Sequence, residues 1–141
     1  MENKPLAIAD YVVIMNNCIQ EWNRADAEAV ASNYTDDLYY SDPSVPMGIN
    51  GKEEFIKYLK LIFKLWPQQE WIPGESFEHK NGSSFSGCYR FKFANKDTEI
   101  KGYGMDIIEF ADDKIRKNYV YLNAEKWNKW LKKELSQHKE L

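Results

Sequence analysis

Two aspartates stand where a carboxyl group could move a proton. Asp106 is flanked by Met105, Ile107 and Ile108. Aspartate is poor in strands and rarely buried without a partner. Facing an apolar interior, its pKa would rise, and a carboxylic acid that stays neutral near pH 7 can donate a hydrogen bond to a ligand oxygen. An exposed position, or a bond to a backbone amide or a tyrosine, is the equal alternative. Asp42 follows Tyr40 and Ser41 and precedes Pro43. Asp before Pro commonly opens a turn, and that is the favoured local reading. The functional reading is a general base at a pocket mouth. Only the fold can bring the two carboxyls together.

The other reactive side chains form no such pattern. Gly102-Tyr103-Gly104 lies inside a strand with no helix after it, so it is not a dinucleotide loop. Gly102, Gly104, Asp106, Ile108 and Phe110 share one strand face by period two, which leaves space beside the carboxylate. A sheet bend with no ligand is the favoured reading of those glycines. His79 and His138 stand in no metal-ligand spacing, so no metal site is expected. His79 lies beside the Asn81-Gly82 turn and reads as solvated. Cys18 and Cys88 read as small buried hydrophobes, not as a disulfide framework. There is no P-loop, no Gly-x-Ser-x-Gly and no His-Glu-x-x-His, and no cofactor is expected.

Helices and hairpins must position these groups. Val12, Met15, Ile19 and Trp22 recur at helical steps and predict a helix over 6–24, with Pro5 at its start. Asp26 can cap a short second helix with Val30 and Tyr34 on one side. Leu38 to Ser41 reads as a short strand ended by Asp42-Pro43, and 44–51 as turns. Phe55, Leu59, Ile62 and Trp66 stripe a helix over 52–66, stopped by Pro67. Asn81-Gly82 then marks a hairpin between two extended runs. Phe85, Gly87, Tyr89, Phe91 and Phe93 alternate along the second run. Strands over 98–111 and 114–123 follow. A last helix begins near Ala124, with Trp127, Trp130, Leu131 and Leu135 on one face. Helices first and hairpins after argue for α+β, a mostly antiparallel sheet with helices on one face.

Composition sets the outer bounds. The chain has 141 residues, read as a single domain over 1–141 with 124–141 as a helical extension. Aromatics make up 15%, enough to line a cavity. Lys and Arg number 19 against 22 acidic residues, a net charge of −3. No clustered positive excess invites nucleic acid. No apolar run approaches the ~18–20 residues of a membrane span. Asp10 interrupts the apolar start, so no secretory signal is read, and a cytoplasmic location is expected.

Trp22 to Asp26, Tyr34 to Asp37, Tyr40-Ser41-Asp42-Pro43 and Gly51 to Ile56 together resemble the amino half of a SnoaL-like domain. These domains belong to the nuclear transport factor 2-like superfamily, with ketosteroid isomerase. Gly104 to Phe110 with Asp113-Lys114-Ile115 resembles its carboxyl-half strand pair. Val120 to Asn123 with Trp127 resembles its ending, where Asp is common at the place of Asn123.

The resemblance implies a cone-shaped roll: a strongly curved sheet wrapped around the N-terminal helices, with an internal hydrophobic pocket. It also implies a homodimer through the sheet's outer face and a small hydrophobic molecule as ligand. Asp42 matches the general base of the isomerases. Asp106 matches the neutral carboxyl that donates to the developing enolate oxygen. The isomerase's oxyanion-binding tyrosine falls at Cys18, a weak donor. Tyr11, Tyr58, Tyr89 and Tyr103 are candidate substitutes. The implied pocket is lined by Tyr40, Cys18, Trp22, Phe55, Leu59, Gly104, Asn118 and Val120. The implied activity is that of a cofactor-free isomerase, cyclase or dehydratase acting on a carbonyl compound. The alternative is a non-catalytic binding or dimerisation module of the same fold. On the enzyme reading, Asp42→Ala costs at least ~100-fold in rate with little effect on stability.

Overall fold

The computed structural model describes residues 6–123 and 125–137. Pro5, Ala124 and His138, named above, lie outside them, as does the side chain of Trp127. Helix α1 (Ile8–Asn23) opens on Asp10, whose carboxylate accepts the Ala7 N–H at 2.9 Å. It buries Tyr11, Met15, Cys18, Ile19 and Trp22. Asp26 caps α2 (Ala27–Ala31) by accepting the Ala29 N–H at 3.1 Å. Gly51, at φ 90°, starts α3 (Lys52–Leu65), which buries Phe55, Leu59, Ile62 and Phe63.

One six-stranded sheet curves around these helices and does not close. Its strands are β1 (Tyr34–Ser41), β2 (Ile49–Asn50), β3 (Gln68–Glu78), β4 (Ser84–Ala94), β5 (Glu99–Ala111) and β6 (Lys114–Asn123). Their spatial order is β2-β1-β6-β5-β4-β3. Only β1 and β6 run parallel; every other pair is antiparallel. That parallel pair sets Tyr40 beside Asn118 and so brings the end of the first strand to the middle of the last. The sheet's concave face and α1, α2 and α3 enclose one core, in which Cys18, Phe55, Leu59, Ile108 and Ile115 are fully buried. The last helix, α4 (Glu125–Gln137), seats Trp130 against Trp66, ring centroids 4.4 Å apart.

Three expectations change. The first strand begins at Tyr34, four residues before Leu38, because Tyr34 is buried and already pairs with Ile115. The turn-rich stretch contains β2, a two-residue strand against Tyr39 and Tyr40. The space at the strand glycines is filled by protein. A methyl on Gly102 would stand 2.6 Å from the Phe91 ring, and one on Gly104 2.5 Å from the Tyr121 carbonyl oxygen. Each glycine pairs across the ladder with an aromatic of β4, Phe91 and Tyr89.

The edge strand β3 is held from the helix side. Asn23 accepts the Trp71 N–H at 2.7 Å and donates to the Trp71 carbonyl at 3.2 Å, so its amide imitates a neighbouring strand. Pro73 is tolerated here because an edge strand does not need every N–H, and the register shifts between Pro73 and Ser76. The clamp on Asn23 holds the Trp71 backbone, and the indole lines the interior cavities.

Candidate acid–base site in the sheet interior

Asp42 closes β1 and turns its carboxylate back on its own loop. One oxygen accepts the Ser44 N–H at 2.8 Å, the Ser44 hydroxyl at 2.5 Å and the Val45 N–H at 3.2 Å. The other accepts the Tyr40 hydroxyl at 2.8 Å and the Tyr58 hydroxyl of α3. A carboxylate has about four lone-pair sites, and these five donors occupy them. Asp42, 8% exposed, is thus an anchor for two phenols and a turn. Taking a proton from a substrate would require breaking one of these bonds. Burial, then the Asp42 charge, pushes both Tyr40 and Tyr58 well above the usual phenol range, so both hydroxyls stay protonated donors.

Asp106 is placed differently. It is 3% exposed on β5, between Gly87 and Val120 on the neighbouring strands. Its carboxylate accepts from Asn118, whose Nδ2 donates at 3.2 Å. Asn118 in turn accepts the Tyr34 hydroxyl at 2.7 Å, which fixes its amide. Desolvation by burial raises the Asp106 carboxyl from 3.8 to about 7, against the lowering effect of the Asn118 bond. At neutral pH this group is split between acid and base forms, the condition in which a carboxyl transfers protons best.

The interior itself is nearly full. Asp106 and Asn118 line a cavity of about 30 Å³, together with Trp22, Trp71 and Tyr89. Asp42 and Tyr58 line a second of about 20 Å³. Tyr40, Trp22, Trp71 and Val120 border both. Each is about the size of a single water. The fold therefore brings the two aspartates to adjoining cavities, but aromatic rings occupy the volume where the resemblance implies an internal pocket.

Of the residues named from the sequence, Asp42, Asp106, Tyr40, Trp22, Asn118 and Val120 border these cavities. Cys18, Phe55 and Leu59 do not. Cys18 is fully buried, and burial pushes its thiol up. Phe55 packs behind the cavity on Tyr34 and Tyr40, with ring centroids at 4.7 and 4.9 Å. Leu59 is buried in the same core cluster. Gly104 borders a groove on the outer face instead. Among the candidate tyrosines, Tyr89 lines the Asp106 cavity and Tyr58 anchors on Asp42. Tyr11 stacks on Phe110 at 4.3 Å, and Tyr103 points outward. Trp71 gives no signal in the sequence, because a lone tryptophan before a Pro-Gly bend carries no periodicity. No group of three metal-ligating side chains occurs among the described residues, and none of their helices is long and apolar enough to cross a membrane.

Residues 16–118 match the SnoaL-like domain family, from the middle of α1 to the middle of β6. The chain belongs to that family. Solved structures share the architecture at low identity. A putative SnoaL-like polyketide cyclase from Jannaschia sp. CCS1 superposes with a TM-score of 0.72 at 13% identity, over 87% of this chain and 91% of that one. SalBIII, an epoxide hydrolase/cyclase-like enzyme in pyran ring formation of the polyether salinomycin, gives 0.73 at 17%, over 82% and 92%. An LEH-like epoxide hydrolase of M. tuberculosis gives 0.70 at 13%, over 82% and 84%. No curated protein matches this SnoaL-like chain in sequence.

Proposed function

We propose that this SnoaL-like protein is a cofactor-independent proton-transfer enzyme acting on a small apolar carbonyl compound, as an isomerase, cyclase or dehydratase, with Asp106 as the transferring group. The observation that carries this reading is the buried Asp106 carboxyl, which lines a cavity beside Asn118 and whose pKa desolvation raises to about 7. Abstraction of a proton next to a carbonyl needs a base near the working pH and a donor for the enolate oxygen. Asp106 supplies the first. Tyr89, in the same cavity and held protonated by burial, supplies the second. Asp42 moves from base to positioning residue: it aims Tyr40 and holds the loop at Ser44 and Val45. A ligand larger than water enters only if a wall moves. Trp71, half-buried on the edge strand, is that wall.

The test is exchange of α-protons of a small cyclic ketone into D₂O near neutral pD, followed by proton NMR. The wild-type protein is expected to exceed Asp106→Asn by at least ~100-fold, the usual scale of general-base catalysis. Equal rates in the two proteins sink the proposal.

The filled interior favours a second reading, a non-catalytic dimerisation module. Both readings use the same homodimer face. Ile72, Tyr103, Met105 and Tyr121 are 50, 61, 39 and 55% exposed on the sheet's outer side. Apolar patches of this kind mark contact surfaces. Light scattering is expected to give twice the chain mass for the wild type and the chain mass for Tyr121→Lys. A monomeric wild type rejects the dimer.

A further inference from the structure

The β3–β4 hairpin carries a second group of reactive side chains, remote in sequence from both aspartates. His79 was expected to be solvated; it is half-buried, and both ring nitrogens are engaged. The Asn81-Gly82 turn fixes it. The His79 N–H donates to the Ser84 carbonyl and the Gly82 N–H to the His79 carbonyl, both at 3.1 Å, with Gly82 at φ 71°. The imidazole then lies with Nδ1 2.7 Å from the Ser84 hydroxyl and Nε2 2.7 Å from the Ser86 hydroxyl.

The protons in this row can be assigned by counting donors. Asn81 Oδ1 accepts the Ser83 N–H at 3.1 Å, which identifies that atom as the oxygen. The Ser84 hydroxyl donates to the same Oδ1 at 2.9 Å. A hydroxyl has one proton, so Ser84 must accept from His79 Nδ1–H. The neutral imidazole therefore presents a bare Nε2 lone pair, and the Ser86 hydroxyl donates to it. Nucleophile, base and orienting group stand in line, the arrangement that activates a serine.

We propose that Ser86 is an acyl-accepting nucleophile with His79 as its base. Ser86 Oγ attacks the carbonyl carbon of an ester, and its proton passes to His79 Nε2. The tetrahedral adduct collapses with cleavage of the bond to the leaving oxygen. The proton on Nε2 goes to that oxygen, which departs as an alcohol, and the acyl group stays on Ser86. Ser84, backed by Asn81, accepts from Nδ1–H throughout and so supports the transient imidazolium. Phe77 and Ile107 flank Ser86 on either side across the ladder, and Phe77 is exposed. They offer an apolar seat for the acyl group, so the substrate class is a small uncharged ester with an apolar acyl part.

The probe is p-nitrophenyl acetate, applied to the full chain, with nitrophenol release, intact mass and peptide mapping as readouts. One acetyl group at Ser86 is expected, absent in Ser86→Ala. His79→Gln is expected to slow its formation by at least ~100-fold, as loss of a general base does. Ser84→Ala, at the far end of the row, lowers the rate less but in the same direction. Acetyl groups found only on lysines overturn the proposal. So does a Ser86 that is labelled equally fast in folded His79→Gln.

Discussion

Asp106→Asn is expected to stabilise the protein at pH 8 by up to roughly 4 kcal/mol and to change it little at pH 4, since the carboxyl rises from 3.8 to about 7 on burial. A group whose pKa is raised by folding holds its proton more tightly in the folded state. Its contribution to stability is fully present below the unfolded value near 4 and is lost as pH rises through about 7. Above that, folding must bury a charge that the unfolded chain exposes to water. Asparagine keeps the shape and an acceptor oxygen for Asn118 Nδ2, and it never ionises. Urea unfolding of both proteins at pH 4, 6 and 8 reads the effect directly. The wild-type midpoint should fall over this range relative to the variant. Parallel curves would mean that Asp106 is not desolvated, and the proton-transfer reading would lose its base.

A residue that weakens the fold at neutral pH invites a functional explanation. Proteins discard such costs easily, because stabilising substitutions are common and mostly neutral away from active sites. Strongly shifted carboxyls concentrate where chemistry is done. The variant that gains stability is therefore the same one expected to lose α-proton exchange. Gain of stability with unchanged exchange would separate the two claims and leave the dimerisation module as the better reading.

The helices were legible because their signals are local. The stripe Phe55, Leu59 and Ile62 and the capping Asp26 each lie within a few residues of what they determine. The alternation in β4 and the Asn81-Gly82 turn likewise fixed the hairpins. The parallel β1–β6 pair was not legible, since it joins Tyr40 to Asn118 across most of the chain. The site follows the same division. Both aspartates stood out by type, one before a proline and one among isoleucines. Their states did not, because partners decide them. Asp42 meets Tyr58 only when α3 packs on β1, and Asp106 is desolvated only when Trp22, Trp71 and Tyr89 close over it. The pocket expected from family resemblance was lost to those rings, whose orientations no local pattern carries. His79 reads as a solvent-facing residue until Ser84 and Ser86 are counted from the turn.

Asp42→Ala is expected to cost about 3–5 kcal/mol of stability, by orphaning buried hydroxyl groups at about 1–3 kcal/mol each. Tyr40 loses its acceptor, Tyr58 is left with the Ser44 hydroxyl at 2.9 Å, and Ser44 and Val45 lose the cap that folds their loop. This outcome separates two roles for the same residue. A general base at a pocket mouth can be removed with loss of rate and little loss of stability. An acceptor for five donors cannot. Asp42→Asn divides the effects further. Its remaining oxygen can still accept from Ser44 and Val45, while its amide turns towards Tyr40 and Tyr58, so about half the loss is expected on the scale of one retained acceptor. Tyr58→Phe removes one donor only and leaves Tyr40, Ser44 and Val45 in place. Thermal unfolding should therefore rank the variants with alanine least stable, then asparagine, then phenylalanine at position 58. A fully stable Asp42→Ala without α-proton exchange would return Asp42 to the role of base and make Asp106 its neutral partner.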